Sequence, residues 1–511
     1  MHPPIIPIIP LELLLNVADN LWDDKPTLQN LALTSKVLCN YCRSLIHRSV
    51  ELHVAKSYKH SSGSPLNRFA QVFADRKIAS YVRHLKLQFW QLEDDVSDAL
   101  AAHLKVFSKF ENLEMLHIRS PMLIFALDTD RDSAVWDGLF NAVGRTVKCL
   151  HIENILFSSF EQLAKILSKF SNLQALALRQ ITFCSDPPNV GSQQYSRKAL
   201  IPLRTLDIEN CDALHAFAKY LDLVTTKTVE NFRLSVQLDD DLTGIYALCR
   251  LVAHSVKHIT FEFKPGTMFD PLLWSQEFDK IFEKPAFADM PHLETFTFGD
   301  CDLDEIAEIV DIFRAHGFPV VYGVHLARFF SSWIPTVISS VDGTRLHTVN
   351  FRFRMQDLHL IKKVPLRRID RILSDKGHFP QLARVNFQLC AQKGLGTRRE
   401  RFSRLKRLSR LLSSGVLNVE ETMIPANRIN LVGIIDALAS GGDDANADLL
   451  AGINAEDPFE GEDESESEDE DEDVRADFGL EEESFEKHLA RYQELLMEDD
   501  LRNGEFYREL S

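Results

Sequence analysis

From residue 82 onward one short pattern recurs: an aliphatic residue, two others, an apolar residue, one other, and a second apolar residue. It reads Val82-Leu85-Leu87, Leu113-Leu116-Ile118, Val147-Leu150-Ile152, Leu173-Leu176-Leu178 and Leu203-Leu206-Ile208. It continues as Val229-Phe232-Leu234, Val256-Ile259-Phe261, Leu293-Phe296-Phe298, Leu346-Val349-Phe351 and Leu382-Val385-Phe387. Successive occurrences start 26 to 37 residues apart, except for one interval of 53 between Leu293 and Leu346. An apolar alternation with period two is strand chemistry, and its return at such intervals predicts stacked strand–helix units. The intervening segments fit helices: Leu100, Leu104 and Phe107 are spaced that way, as are Phe160, Leu163, Ile166 and Leu167. The long interval holds either one more repeat, around Val320-Val321, or an insertion.

These ten triplets resemble leucine-rich repeats, whose pattern runs on to an Asn or Cys eight positions after the first leucine. Counting eight from Leu203, Leu293 and Leu382 lands on Cys211, Cys301 and Cys390, where a small buried thiol suits a tight turn. The other seven repeats carry Trp90, Pro121, Ile155, Ile181, Gln237, Lys264 or Arg354 there, so the repeat is degenerate. The resemblance implies an α/β solenoid with an extended concave surface for another macromolecule. An unrelated α/β domain with several buried strands would be the alternative.

Ahead of the repeats, residues 9–54 carry a different pattern. Leu13, Val17 and Leu21 recur every four residues behind Pro10, with Leu14 alongside, which predicts a short helix. Asp23, Asp24 and Pro26 break it and let a second helix begin, carrying Leu28, Leu31 and Leu33. Thr34 and Ser35 can cap a third, with Leu38, Tyr41, Leu45 and Ile46 at helical spacing. Three short helices cannot bury so much leucine among themselves, so the unit wants a partner.

This stretch resembles an F-box. Ile9-Pro10, Glu12-Leu13, Val17 and Leu21 match the family's first part, and Leu28, Leu31 and Leu33-Thr34-Ser35-Lys36 match its second. Leu11 stands where the family usually has a polar residue, and Val37 where an aromatic is common. The resemblance implies the substrate-recognition subunit of an SCF-type ubiquitin ligase. Its adaptor-binding or adaptor-supporting residues would be Ile9, Pro10, Glu12, Leu13, Val17, Leu21 and Leu28. Its partners would be the Skp adaptor, a cullin scaffold reached through it, and a target protein held by the repeats. A helical cap on a repeat scaffold that joins no ligase is the rival.

The net charge of −18 belongs to one end. Residues 441–511 hold 27 acidic and 5 basic residues, a net of −22, which leaves the rest at +4 (−18 + 22). So mild a positive charge argues against a nucleic-acid partner. Residues 456–473 carry almost nothing apolar and are expected to be disordered, and Ser465 and Ser467 there match an acidophilic phosphorylation pattern. Residues 393–410 carry eight Lys/Arg against one Glu and predict a basic amphipathic helix; a last such helix is expected from Glu481. The expected organisation is therefore α/β throughout its middle: a three-helix F-box-like unit over 1–55, a leucine-rich-repeat-like solenoid over 56–440, an acidic segment over 441–480 and a terminal helix over 481–511.

Nothing approaches 18 consecutive apolar residues, so no membrane span is expected. The start, MHPPIIPIIP, lacks the basic n-region of a secretory signal, and the eight cysteines read as reduced thiols of cytosol or nucleus. No phosphate-cradling glycine loop is present, and no nucleophile–base spacing stands out, so no enzyme activity and no cofactor are expected. Cys39-x-x-Cys42 with His47 and His53 is better read as buried helix cysteines than as a zinc site. His84, His117, His151 and His258, inside strand patterns, are expected to be packed structural residues.

Overall fold

A computed structural model describes residues 10–54, 65–89, 103–120, 130–184, 201–225, 228–237, 242–264, 289–302, 333–355, 364–391 and 406–423, with Ala101, Phe287 and Ile361 as single positions. Three helices come first: α1 (Leu11–Asn20), α2 (Lys25–Ala32) and α3 (Lys36–Ile46). Twelve strands follow, all parallel and paired strictly in chain order. They are β1 (Ser49–Val54), β2 (His84–Phe89), β3 (Met115–Arg119), β4 (Cys149–Phe157), β5 (Ala175–Phe183) and β6 (Thr205–Cys211). The remainder are β7 (Asn231–Gln237), β8 (His258–Lys264), β9 (Thr295–Asp302), β10 (Thr348–Met355), β11 (Arg384–Ala391) and β12 (Leu417–Met423).

The repeat pattern explains this order. Each of the ten triplets marks one strand from β2 to β11, its first member just ahead of the strand and the other two on it, and none of the thirty side chains is more than 3 % exposed. Their middle members stand opposite one another in register, from Leu85 through Leu116, Leu150, Leu176, Leu206, Phe232, Ile259, Phe296 and Val349 to Val385. Helices between strands lie against that face. Phe160–Leu167 presents Phe160, Leu163, Ile166 and Leu167 to the core, and Leu366–Leu373 presents Leu366, Ile369 and Leu373. Each unit alone would leave half its apolar side chains in water, so stacking is what buries them.

The backbone repeats as faithfully as the side chains. At the start of each strand from β2 to β11, two consecutive N–H groups donate to one carbonyl of the preceding unit. Arg83 and His84 bond to Arg48 O, and Glu114 and Met115 to Arg83 O. The chain of acceptors runs on through Glu114, Lys148, Gln174, Arg204, Glu230, Lys257 and Glu294 to His347. Asn154, Gln180 and Asn210 occupy one equivalent position on β4, β5 and β6, each with φ near +50° (57°, 52° and 49°). Asn tolerates that left-handed backbone better than most residues, and it turns the strand ends alike.

β9 pairs directly with β10, Phe296 opposite Val349, so no strand of the described sheet stands between them, and residues 303–332, with Val320-Val321, lie outside the described residues. Two expectations change. The sheet begins and ends one strand beyond the ten triplets, with β1 and β12. Of the basic segment, Lys406–Leu408 is one 3₁₀ turn and Ser409–Ser413 a short helix, while 393–405 lie outside the described residues. Asp370, buried on the neighbouring helix, holds that short helix by accepting from Arg410 N (3.2 Å) and Leu411 N (2.9 Å). The acidic run with Ser465 and Ser467, and the expected terminal helix, also lie outside the described residues. Among the described residues no helix is long and apolar enough to cross a membrane.

Candidate functional site

The N-terminal unit keeps a core of its own, separate from the sheet's. Ala18, Leu28 and Cys42 are its fully buried members, with Leu21, Leu31, Ala32, Tyr41, Leu45 and Ile46 packed around them. Local chemistry sets each helix start. Pro10 precedes α1 and its carbonyl accepts from Leu13 N and Leu14 N. Asp24 caps α2, accepting from Thr27 N (3.1 Å) and Thr27 Oγ1 (2.6 Å), and those bonds hold its carboxyl below the ordinary value. Ser35 caps α3 through Leu38 N. Tyr41 Oη donates to Asp19 Oδ1 at 2.7 Å, tying α3 to α1, and that bond pushes the phenol up.

This packing divides the expected adaptor residues. Ile9 lies outside the described residues. Pro10 and Glu12 are exposed, and so are Leu13 (54 %) and Val17 (51 %). Leu21 is half-buried, and Leu28, with no exposure at all, belongs to the core rather than to any surface. The buried stripe of α1 therefore runs through Ala18 and Leu21 with Leu14 and Leu15 half-buried, while the Leu13–Val17 pair points to water. Four further apolar side chains of this unit are exposed: Leu11, Trp22 (63 %), Leu33 (86 %) and Val37. Leu33 closes α2 as its C-cap instead of packing on it. Six of the ten exposed large hydrophobics among the described residues thus fall between Leu11 and Val37. Scattered exposed leucines need no explanation, but such a concentration marks a surface meant to be covered.

The second surface is the open face of the sheet. Period two puts every residue between the buried positions here, so His84, His117, His151 and His258 face away from the core. Their expected burial as packing residues is corrected: three are half-buried and His258 is exposed. Charged rungs cross the strands. Lys86 Nζ lies 2.7 Å from Glu51, and that hydrogen bond holds the Glu51 carboxyl below the ordinary range. Arg179 reaches Asp207 (2.7 Å) and Glu209 (3.5 Å), and Arg233 reaches Asp207 (3.5 Å) and Glu262 (2.8 Å). Further on the rungs become neutral: Asn418 donates to Asn386, Asn386 to Asn350, and Asn350 to Thr297. Such a face offers polar and matched charged groups to a partner protein rather than a single-sign field.

The repeat cysteines are structural. Cys211 is buried and its thiol contacts Leu178 O at 3.4 Å, while Cys301 and Cys390 are buried at the corresponding strand ends. Cys42 is buried and Cys39 half-buried, and they do not converge with His47 and His53 on one point. His53 instead lies on β1 beside Glu51 (3.6 Å).

No family model matches this chain, and no curated protein matches it. Among solved structures, the yeast Rad7 and Elc1 complex is similar at 12 % identity over 76 % of this chain and 87 % of that one, with a TM-score of 0.34. A superposition that loose says nothing of what this chain binds.

Proposed function

We propose that the chain is a substrate-recognition subunit of an SCF-type ubiquitin ligase, in which α1 to α3 bind the Skp adaptor and the open sheet face holds a target protein. One observation carries the reading: six exposed large apolar side chains between Leu11 and Val37, on a unit whose own core is already closed around Ala18, Leu28 and Cys42. A helical cap that only shielded the first repeat would turn Leu13 and Val17 inward. The F-box resemblance at Ile9-Pro10, Glu12-Leu13 and Leu28 agrees in placing an adaptor there. In this reading the adaptor-facing residues are Ile9, Pro10, Glu12, Leu13 and Val17, joined by Trp22 and Leu33, and Leu21 and Leu28 support them from behind. A cullin is reached through the adaptor, ubiquitin transfer is performed elsewhere in the complex, and the chain does no bond chemistry itself. It works in the cytosol or nucleus.

Attachment matters for such a device. α3 leads within two residues into β1, and His47 sits edge-on against Phe73 with ring centroids 6.0 Å apart. The adaptor-binding helices are therefore fixed to the sheet that would present the target.

Co-expression with the Skp adaptor tests the reading. Wild type should be recovered as a one-to-one complex, and Leu13→Asp/Val17→Asp should remain folded and lose the adaptor. Placing two charges in a desolvated apolar contact should weaken it by about 100-fold or more. A well-folded wild type that forms no complex would leave a repeat scaffold outside any ligase as the better account.

A further inference from the structure

We propose that His117, His151 and Glu153 form a binding site for a divalent transition metal of the zinc class on the open face of the sheet. The sheet register brings them together. β3 and β4 place His117 opposite His151 and Arg119 opposite Glu153, and His151 and Glu153, two apart on one strand, share a face. The donor atoms converge: His117 Nε2 lies 3.2 Å and His151 Nε2 4.0 Å from the same oxygen, Glu153 Oε2, and all three lie within 4.8 Å of one another. Zinc bound at about 2.0–2.1 Å in a tetrahedron sets its donors roughly 3.3 Å apart, so closure asks a shift of at most about 1.5 Å of any pair. The two rings stack in parallel, 4.1 Å between centroids and 9° between planes. Rotation about χ2, a soft torsion in histidine, opens them toward a common point.

One feature beyond proximity points to a ligand: His151 Nε2 is buried and has no hydrogen-bond partner among the described residues. Glu153 Oε2 lies at hydrogen-bond distance (3.2 Å) from His117 Nε2, so carboxylate and imidazole are already held together, and Arg119 Nε lies 3.3 Å from Glu153 Oε1. The flanking cations are already matched, Lys86 by Glu51 and Arg179 by Asp207 and Glu209, so the site is not a bare positive field. Two imidazoles and one carboxylate suit zinc, cobalt or nickel and not magnesium or calcium. Three protein ligands leave a fourth position, directed away from the sheet.

The test uses the full chain and metal ions alone. Equilibrium dialysis against Zn²⁺ should show one site whose affinity falls at least tenfold in Glu153→Gln and disappears in His117→Gln/His151→Gln, with His53→Gln unchanged. Co²⁺ should give visible absorption in wild type that the double variant loses. On unmodified protein, Zn²⁺ should shield His117 and His151 from diethyl pyrocarbonate while His53 and His258 react as before. That readout needs no variant to fold. Equal zinc uptake in wild type and a folded double variant, or no shielding of the two histidines, would mean adventitious surface binding only and would overturn the proposal.

Discussion

Phe351→Ala puts the stacking account to a quantitative test. Phe351 is fully buried, opposite Phe298 on β9 and Phe387 on β11. Its ring stacks on both, with centroids 5.1 and 4.6 Å apart at 4° and 23°. Truncating a buried phenylalanine costs about 3–5 kcal/mol, a range that spans the lost transfer energy and the cavity left behind. Two lost aromatic pairs, each worth about 0.5–1.5 kcal/mol, place this site toward the upper end. Because each unit touches only its neighbours, the loss should be local. Hydrogen exchange should show the amides of β9, β10 and β11 opening roughly 10³- to 10⁴-fold more often, with β2 to β4 unchanged. Phe351→Leu, which restores most of the volume, should recover more than half. A loss below about 1 kcal/mol, or loosening spread evenly from β1 to β12, would refute the reasoning.

Other outcomes follow from particular contacts. A Cβ at Gly299 would lie 2.6 Å from Glu262 Oε1 and 2.7 Å from its Cγ, so Gly299→Ala should push Glu262 off Arg233 and lower stability by about 1–3 kcal/mol in urea. Adding Glu262→Ala should relieve most of that, a non-additivity that a double-mutant cycle reads. Asp370→Ala removes the acceptor for Arg410 N and Leu411 N and should raise exchange at 409–423 by about 10-fold or more, with the earlier strands untouched. Acid should also weaken the sheet through the stacked histidines. His117 and His151 titrate below their ordinary value when folded, so the unfolded chain binds their protons first. Stability is therefore full above about pH 6.5 and falls as pH drops toward 4. A thermal melt of His151→Gln should show a shallower fall over that window; an unchanged one would count against the burial argument.

Much of the fold was legible because a solenoid repeats its rule. The triplets named the strand, the buried face and the stacking order together. β1 and β12 escaped because the first triplet position is absent from them: His47 and Ser414 stand where the inner strands carry an aliphatic residue. That position packs the turn between units, and the end strands have a neighbour on one side alone. The strand histidines depart from the expected packing because period two assigns them to the face opposite the apolar positions. In α1 the leucines lie nearly all round, so periodicity could not choose the inner stripe. Small Ala18, which lets the helix approach Leu28 and Cys42, takes the buried place, and Leu13 and Val17 stay out. No sequence signal marked Trp22 or Leu33 as surface residues. The metal cluster was equally hidden, since Glu153 meets His117 only through the β3–β4 register.

The most direct measurement of the adaptor surface is hydrogen exchange on the purified chain with and without the Skp adaptor. Leu13 and Val17 lie on one face of α1, and Trp22, Leu33 and Val37 lie in or beside the two turns that follow. The account predicts slowed exchange over residues 11–37, with β2 to β11 unchanged and with no slowing in Leu13→Asp/Val17→Asp. Slowing confined to the sheet, or none anywhere at saturating adaptor, would contradict it.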